Sequence, residues 1–212
     1  DSNELLLMLD YGIFYEFIPM DTFGTLNQRV IRLNQVELNK NYALVITTNS
    51  GLWRYLIGDT IRFTSLSPYR IKVTGRTKHH INVFGEELMV ENTDAAIAKT
   101  CALFDCEIVD YTVAPVFMKK KKKGSHEWII EFKNPPEDVE KFSMILDENI
   151  QSLNSDYEAK RYNNMTLNPL VLNVARKNLF YDWLKQNDKL GGQHKIPRLS
   201  NDRNYLESLL NL

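Results

Sequence analysis

Three short stretches carry residue types able to act together on one substrate. In Gly51-Leu52-Trp53-Arg54-Tyr55-Leu56-Ile57-Gly58-Asp59, the Gly-Asp pair sets a carboxylate beside a residue that lets a ligand or another backbone come close. An ionised Asp only accepts hydrogen bonds and can take two hydroxyl protons at once, which suits the paired hydroxyls of a ribose. A plain turn Asp is the alternative. In Gly75-Arg76-Thr77-Lys78-His79-His80-Ile81-Asn82-Val83-Phe84-Gly85-Glu86-Glu87-Leu88, the Arg76 guanidinium can fork onto ribose or phosphate oxygens. The alternative there is a linker with a surface charge cluster. In Gly191-Gly192-Gln193-His194-Lys195-Ile196-Pro197-Arg198, the glycines make a mobile loop that can carry Lys195 into a cleft. An ammonium delivered that way neutralises charge developing on a carboxylate and an α-phosphate, while an ordinary loop lysine is the competing reading.

These groups need a frame. Short β-type runs fill the first seventy-odd residues: Leu5 to Leu9, Ile13 to Ile18, Val30 to Leu33, Tyr42 to Thr48, Thr60 to Leu66 and Tyr69 to Thr74. Turn residues such as Asn39-Lys40-Asn41, Asn49-Ser50-Gly51 and Ser67-Pro68 separate them. Close spacing of short strands predicts a β-barrel-like subdomain, a small barrel or a curled sheet, with the Gly58-Asp59 pair between two strands. After Gly75 the pattern changes. Val90, Ile97, Cys101 and Phe104 recur at helical spacing; Glu107 to Phe117 and Trp128 to Phe132 read as strands around a Lys119–Lys123 hairpin loop. Pro135-Pro136 introduces a helix with Glu137 and Asp138 in its first turn and an apolar stripe of Val139, Phe142, Leu146, Ile150 and Leu153. A strand from Leu170 to Val174, a helix from Asn178 to Gln186 and a last helix with Tyr205, Leu206, Leu209 and Leu210 follow. The expectation is an α+β chain: residues 1–74 form the β-rich module and residues 75–212 a small α/β C-terminal domain.

The order of the chemical stretches resembles the C-terminal part of the adenylate-forming superfamily, and more closely the auxin-responsive Gretchen Hagen family of acyl acid–amido synthetases. The resemblance is carried by Tyr15-Glu16-Phe17-Ile18-Pro19, Gly51-Leu52-Trp53-Arg54-Tyr55 running into Gly58-Asp59, Val73-Thr74-Gly75-Arg76, Ile81-Asn82 to Gly85-Glu86, and Gln193-His194-Lys195-Ile196-Pro197-Arg198. It implies that ATP and a carboxylic acid give an acyl-adenylate, which an amino acid amine then attacks to form an amide and AMP. It further implies that Asp59 holds the ribose hydroxyls and that Arg76 contacts the nucleotide. Lys78 would be the hinge about which a mobile C-terminal domain turns, and Lys195 the catalytic adenylation lysine. Residues 1–74 would then be the β-rich end of the large adenylate-binding domain. A Ser/Thr/Gly-rich phosphate loop, expected far upstream in that superfamily, has no counterpart here. The chain also begins at Asp1 in strand-like text. A C-terminal piece of a longer enzyme, inactive by itself and completed by an N-terminal domain, is therefore expected. An adenylate-forming thioester ligase and a non-catalytic interaction module are the alternatives.

Composition narrows the field. The chain of 212 residues is 43% hydrophobic and 25% charged with a net charge of −1, which fits a globular protein and gives no global pull toward nucleic acid. The lysine run has no matching aromatic stripe, so a solvated loop tip is expected rather than a nucleic-acid interface. Two cysteines, Cys101 and Cys106, provide neither a disulfide scaffold nor a four-cysteine zinc site and fit a reducing cytoplasm. The histidines fall in no metal-ligating frame, so no protein-held metal is expected, and Mg2+ would arrive with ATP. No apolar run reaches membrane-spanning length. Trp53, Trp128 and Trp183 are expected to be packing residues.

Overall fold

A computed structural model describes residues 4–77, 79–118, 122–164, 166–191 and 195–212. The chain divides into two compact units, Asp1–Lys78 and His79–Leu212.

The first unit is built from β1 (Leu5–Leu6), β2 (Ile13–Pro19), β3 (Ile31–Arg32), β4 (Asn41–Thr48), β5 (Tyr55–Leu66) and β6 (Tyr69–Arg76). They form one antiparallel sheet in the order β1-β6-β5-β4-β2-β3. Alternation along the strands makes two faces. Phe17, Tyr42, Leu44, Ile61, Phe63 and Ile71 fill one core, while Ile18, Met20, Ala43 and Val45 pack together separately. Phe17, Tyr42 and Phe63 meet edge to face, with ring centroids 5.2–6.1 Å apart. The expected barrel does not close: β1 and β3 end the strand order, and at two residues each they are too short to carry a continuous ladder around a closed sheet. The strand expected to begin at Thr60 begins at Tyr55, so Gly58 and Asp59 lie inside β5 rather than in a turn before it. Likewise β6 runs on through Gly75 and Arg76, placing both in the first unit.

The second unit opens with the two-stranded pair β7 (His80–Ile81) and β8 (Leu88–Met89), followed by α1 (Val90–Phe104). Next come β9 (Glu107–Val116), β10 (Ser125–Asn134), α2 (Val139–Leu153), α3 (Ser155–Arg161), β11 (Val171–Val174), α4 (Leu179–Gln186) and α5 (Asn204–Leu210). The sheet order is β11-β10-β9, with β9 and β10 antiparallel and β10 and β11 parallel across the α2–α3 crossover. Strand β10 is buried on both faces, which explains its unbroken Trp128-Ile129-Ile130 run. Trp128 and Ile130 enter the core made with Ala96, Ile97, Phe142, Leu146 and Ile150. Ile129 turns to the opposite core, formed with Leu179, Phe180, Trp183, Leu206 and Leu209.

Helix boundaries follow local hydrogen bonding. Asp138 is the N-cap of α2 rather than a first-turn residue, its carboxylate accepting the Lys141 N–H at 2.9 Å. Asn154 caps α3 through the Tyr157 N–H at 2.7 Å. The buried Glu131 carboxylate accepts the N–H groups of Asn178 and Phe180 at the start of α4, a favourable place for an anion. The β9–β10 hairpin flanks the lysine run, of which Lys119, Lys120 and Lys121 lie outside the described residues. Trp128 and Trp183 are buried as expected, but Trp53 is 82% exposed, because it precedes β5 in a segment that no core element covers. Among the described residues no helix is long and apolar enough to cross a membrane.

Candidate functional site

Asp59 and Arg76 are direct partners across the β5–β6 ladder. That register brings the Arg76 Nε to 2.8 Å from the Asp59 Oδ1. The pair stays open to solvent, with Asp59 30% and Arg76 66% exposed, so its charges can be recruited by a ligand. The neighbouring Gly58 sits at φ +91°, where an L side chain is strained. Its carbonyl accepts both the Thr77 backbone N–H at 2.8 Å and the Thr77 hydroxyl at 3.3 Å. The β4–β5 register shifts between Ala43 and Val45, opposite Gly58, and the β5–β6 register shifts between Thr60 and Ile61; such bulges re-aim the side chains beside them. Behind them, Thr60 and Thr74 join through their buried hydroxyls at 3.1 Å. The result is a carboxylate and a guanidinium held side by side at a backbone irregularity.

A second ion pair lies on the same sheet. Arg54 forks onto Glu16, with Nε to Oε2 at 2.9 Å and a terminal nitrogen to Oε1 at 3.1 Å. Arg54 adopts φ +45°, an uncommon conformation for a residue other than glycine. In the sequence Glu16 and Arg54 stand only within the quoted motifs, 38 residues apart, and no motif pairs them. A glutamate alternating with apolar strand residues, followed by an isolated arginine before β5, is the signal that could have paired them.

Lys195 belongs to the second unit and is exposed. The segment that follows is firmly anchored. Ile196 and Leu199 are buried, the Thr112 hydroxyl donates to the Pro197 carbonyl at 2.7 Å, and Val113 N–H donates to the Arg198 carbonyl at 2.8 Å. The Arg198 guanidinium bonds the Asp94 carboxylate at 2.6 Å and lies over the Tyr111 ring. The Tyr111 hydroxyl donates to the same carboxylate at 2.6 Å. Burial first, and then the Asp94 charge, push the Tyr111 hydroxyl far above the usual phenol range, keeping it a proton donor. Burial also raises the Asp110 carboxyl, against the pull of Arg198 and Lys195.

Of the residues singled out from sequence, Asp59 and Arg76 are brought together. Lys78, together with Gly192, Gln193 and His194 of the lysine loop, lies outside the described residues. Among the described residues no cluster of three or more His, Cys, Asp or Glu side chains could hold a metal ion.

Comparison with known proteins gives the same two-part division a family. Residues 6–76 match the GH3 family central domain, and residues 91–204 match the GH3 family C-terminal domain. Indole-3-acetic acid-amido synthetase GH3.3 of Arabidopsis thaliana is 27% identical over 87% of this chain and 33% of its own length. The 4-substituted benzoates-glutamate ligase GH3.12 of the same plant is 23% identical, covering 87% of this chain and 35% of its own. The chain thus spans about a third of the length of the curated relatives it matches. Among solved structures, GH3.15 acyl acid amido synthetase shares the fold over 94% of this chain and 36% of its own, with a TM-score of 0.66 at 22% identity. A 2-hydroxyisobutyryl-CoA ligase shares it more distantly, with a TM-score of 0.51 at 13% identity over 95% of this chain and 38% of its own. This chain belongs to the GH3 family, as its central domain joined to its C-terminal domain.

Proposed function

We propose that the chain is the central and C-terminal part of an ATP-dependent acyl acid–amido synthetase. In the first half-reaction an acid carboxylate attacks the α-phosphate of ATP; the bond to pyrophosphate breaks and an acyl-adenylate forms. In the second, an amino acid amine attacks the acyl carbon, AMP leaves and the amine gives up a proton. Asp59 takes the ribose hydroxyls, since a carboxylate can accept two at once. Arg76 orients that carboxylate and supplies positive charge to the nucleotide. Lys195 neutralises charge on the α-phosphate as pyrophosphate departs. The first unit acts as the β-rich end of the adenylate-binding domain, and the second as the C-terminal domain that turns about Lys78. Mg2+ enters on the ATP phosphates. The rest of the adenylate-binding domain is supplied by a further part of the protein, so the two domains alone are expected not to turn over ATP. A cytoplasmic setting suits the free Cys101 and Cys106 thiols.

The single observation that carries this reading is the Asp59–Arg76 pair at the Gly58 bulge, in a chain of the GH3 family. Pyrophosphate exchange by the full-length protein, dependent on a carboxylic acid, is the test. Product mass with amino acids and with coenzyme A separates an amide from a thioester ligase. Exchange that survives both Asp59→Ala and Lys195→Ala would refute the site.

A further inference from the structure

We propose that Asn201 is a positioning residue that couples the strand opening the second unit to the segment carrying Lys195. The chain passes between units at Lys78–His79, and β7 starts one residue later. The Asn201 side chain spans two backbone groups there: its Oδ1 accepts the Asn82 N–H at 2.9 Å, and its Nδ2 donates to the His80 carbonyl at 3.0 Å. A carbonyl at one residue and an N–H two residues on point to the same edge of an extended strand, so this primary amide takes the place of a peptide group on a neighbouring strand. Only the amide supplies both the acceptor and the donor that this edge requires. Asn82 in turn accepts the Glu87 N–H through its own side chain, closing the turn between β7 and β8.

On its other side Asn201 continues the anchored segment. Ser200 N–H donates to the Val113 carbonyl at 3.1 Å, Leu199 is fully buried and bridges Val113, and Arg198 and Pro197 are bound to β9 as described above. Lys195 therefore stands just ahead of a run in which every residue from Pro197 to Asn201 is tied down. Through Asn201 that run is joined to the first strand after the unit boundary. Any rotation of the second unit about that boundary carries the base of Lys195 with it, without slack. With Asn201 removed, the outer edge of β7 loses two partners.

The inference rests on Lys195 being the adenylation lysine, and its test is arranged to separate the two ideas. In the full-length protein, Asn201→Ala is expected to lower the rate constant of acid-dependent pyrophosphate exchange between ten- and a hundredfold, on the order of the loss that small misplacements of a reacting group cause. The KM for ATP should stay within about twofold, because nucleotide binding is assigned to Asp59 and Arg76. Hydrogen exchange at the Asn82 amide should quicken while that at Val113 does not. Asn201→Asp, which keeps the acceptor and loses the donor, should fall between; it carries the test if Asn201→Ala fails to fold. If Lys195→Ala abolishes exchange while both Asn201 variants run at the parental rate, the coupling is wrong. If Lys195→Ala also leaves exchange intact, the lysine assignment falls and this role of Asn201 falls with it.

Discussion

The side chains of Asp59 and Arg76 touch at 2.8 Å because their Cα atoms are paired across β5 and β6. The contact is therefore set by the hairpin register and not by chance encounter of two long side chains. Being solvent-exposed, the pair contributes little to stability, about 0–1 kcal/mol. Its substitution should leave the fold intact. Asp59→Ala should raise the KM for ATP by roughly tenfold or more, from the loss of charged hydrogen bonds worth about 1.5–3 kcal/mol. Arg76→Lys should not restore a defect of Arg76→Ala, since an ammonium cannot reproduce the fork. Steady-state kinetics at varied ATP check both. An unchanged KM in Asp59→Ala would remove the carboxylate from the nucleotide.

A stability prediction concerns the second unit. The buried Asp147 carboxylate accepts from Arg161 Nε and a terminal Arg161 nitrogen at 2.8–3.2 Å, from the Tyr157 hydroxyl at 2.7 Å and from Gln151 at 2.9 Å. Asp147→Ala leaves the Arg161 charge buried and should cost about 3–5 kcal/mol in urea unfolding. Changing Asp147 and Arg161 together to apolar residues should cost less than the single change. Tyr157 adds a pH dependence. Burial, and next the Asp147 charge, raise its hydroxyl well above the usual phenol range, so the folded state holds that proton more tightly than the unfolded state. Its stabilisation is complete below the ordinary phenol range and is lost as pH rises beyond it; Tyr157→Phe should flatten that alkaline limb.

How much of this the residues announce depends on the range of the interactions involved. Helices α1 and α2, the β9–β10 hairpin and β2, β4 and β6 are written in local periodicity, and all of them are present. The barrel was read from strand spacing, yet closure depends on whether the outermost strands can pair, and β1 and β3 are too short. The Gly58-Asp59 pair is expected between two strands, because Gly and Asp favour turns, whereas both lie inside the twelve-residue β5. Strands β7 and β8 and helix α3 have too few residues to show a period. At the site, Asp59 and Arg76 could be nominated from residue type, but their contact is a matter of register. Asn201 carried no signal at all, since a single Asn in loop text has no pattern until its partners are known.

Cys101 and Cys106 give a redox-independent prediction. Burial, with a hydrogen bond between the two thiols, pushes the Cys101 thiol up to about 12, and burial raises Cys106 as well. Reactivity follows the thiolate. Iodoacetamide at neutral pH should therefore label both slowly in the folded protein and quickly in urea. Because the folded Cys101 binds its proton more tightly than the unfolded thiol, its contribution to stability should fade from the ordinary thiol range toward pH 12. Rapid labelling of Cys101 in the native state at neutral pH would contradict this.

The turn between β7 and β8 is held against β10 by a buried cluster, and one glycine limits how tightly it can close. The Glu86 carboxylate accepts the Phe84 N–H at 2.7 Å with one oxygen and meets the His126 Nε2 at 2.8 Å with the other. Phe84 consequently rests on Gly124, where an added Cβ would stand 2.5 Å from the ring Cζ and 3.2 Å from the Leu167 Cδ2. The Glu86 bond fixes the Phe84 backbone, and the ring lies beside the His126 ring with centroids 6.2 Å apart, so it yields only by shifting against that neighbour. Gly124→Ala should accordingly destabilise the second unit by about 1–3 kcal/mol, the usual cost of overpacking a filled core. Phe84→Leu, which shortens the clashing side chain, should recover part of that loss when combined with Gly124→Ala, although alone it leaves a gap and destabilises. Thermal unfolding of the four combinations measures the coupling. Strict additivity would mean that the ring and the glycine are not in contact, and that the turn is held by Glu86 and His126 alone.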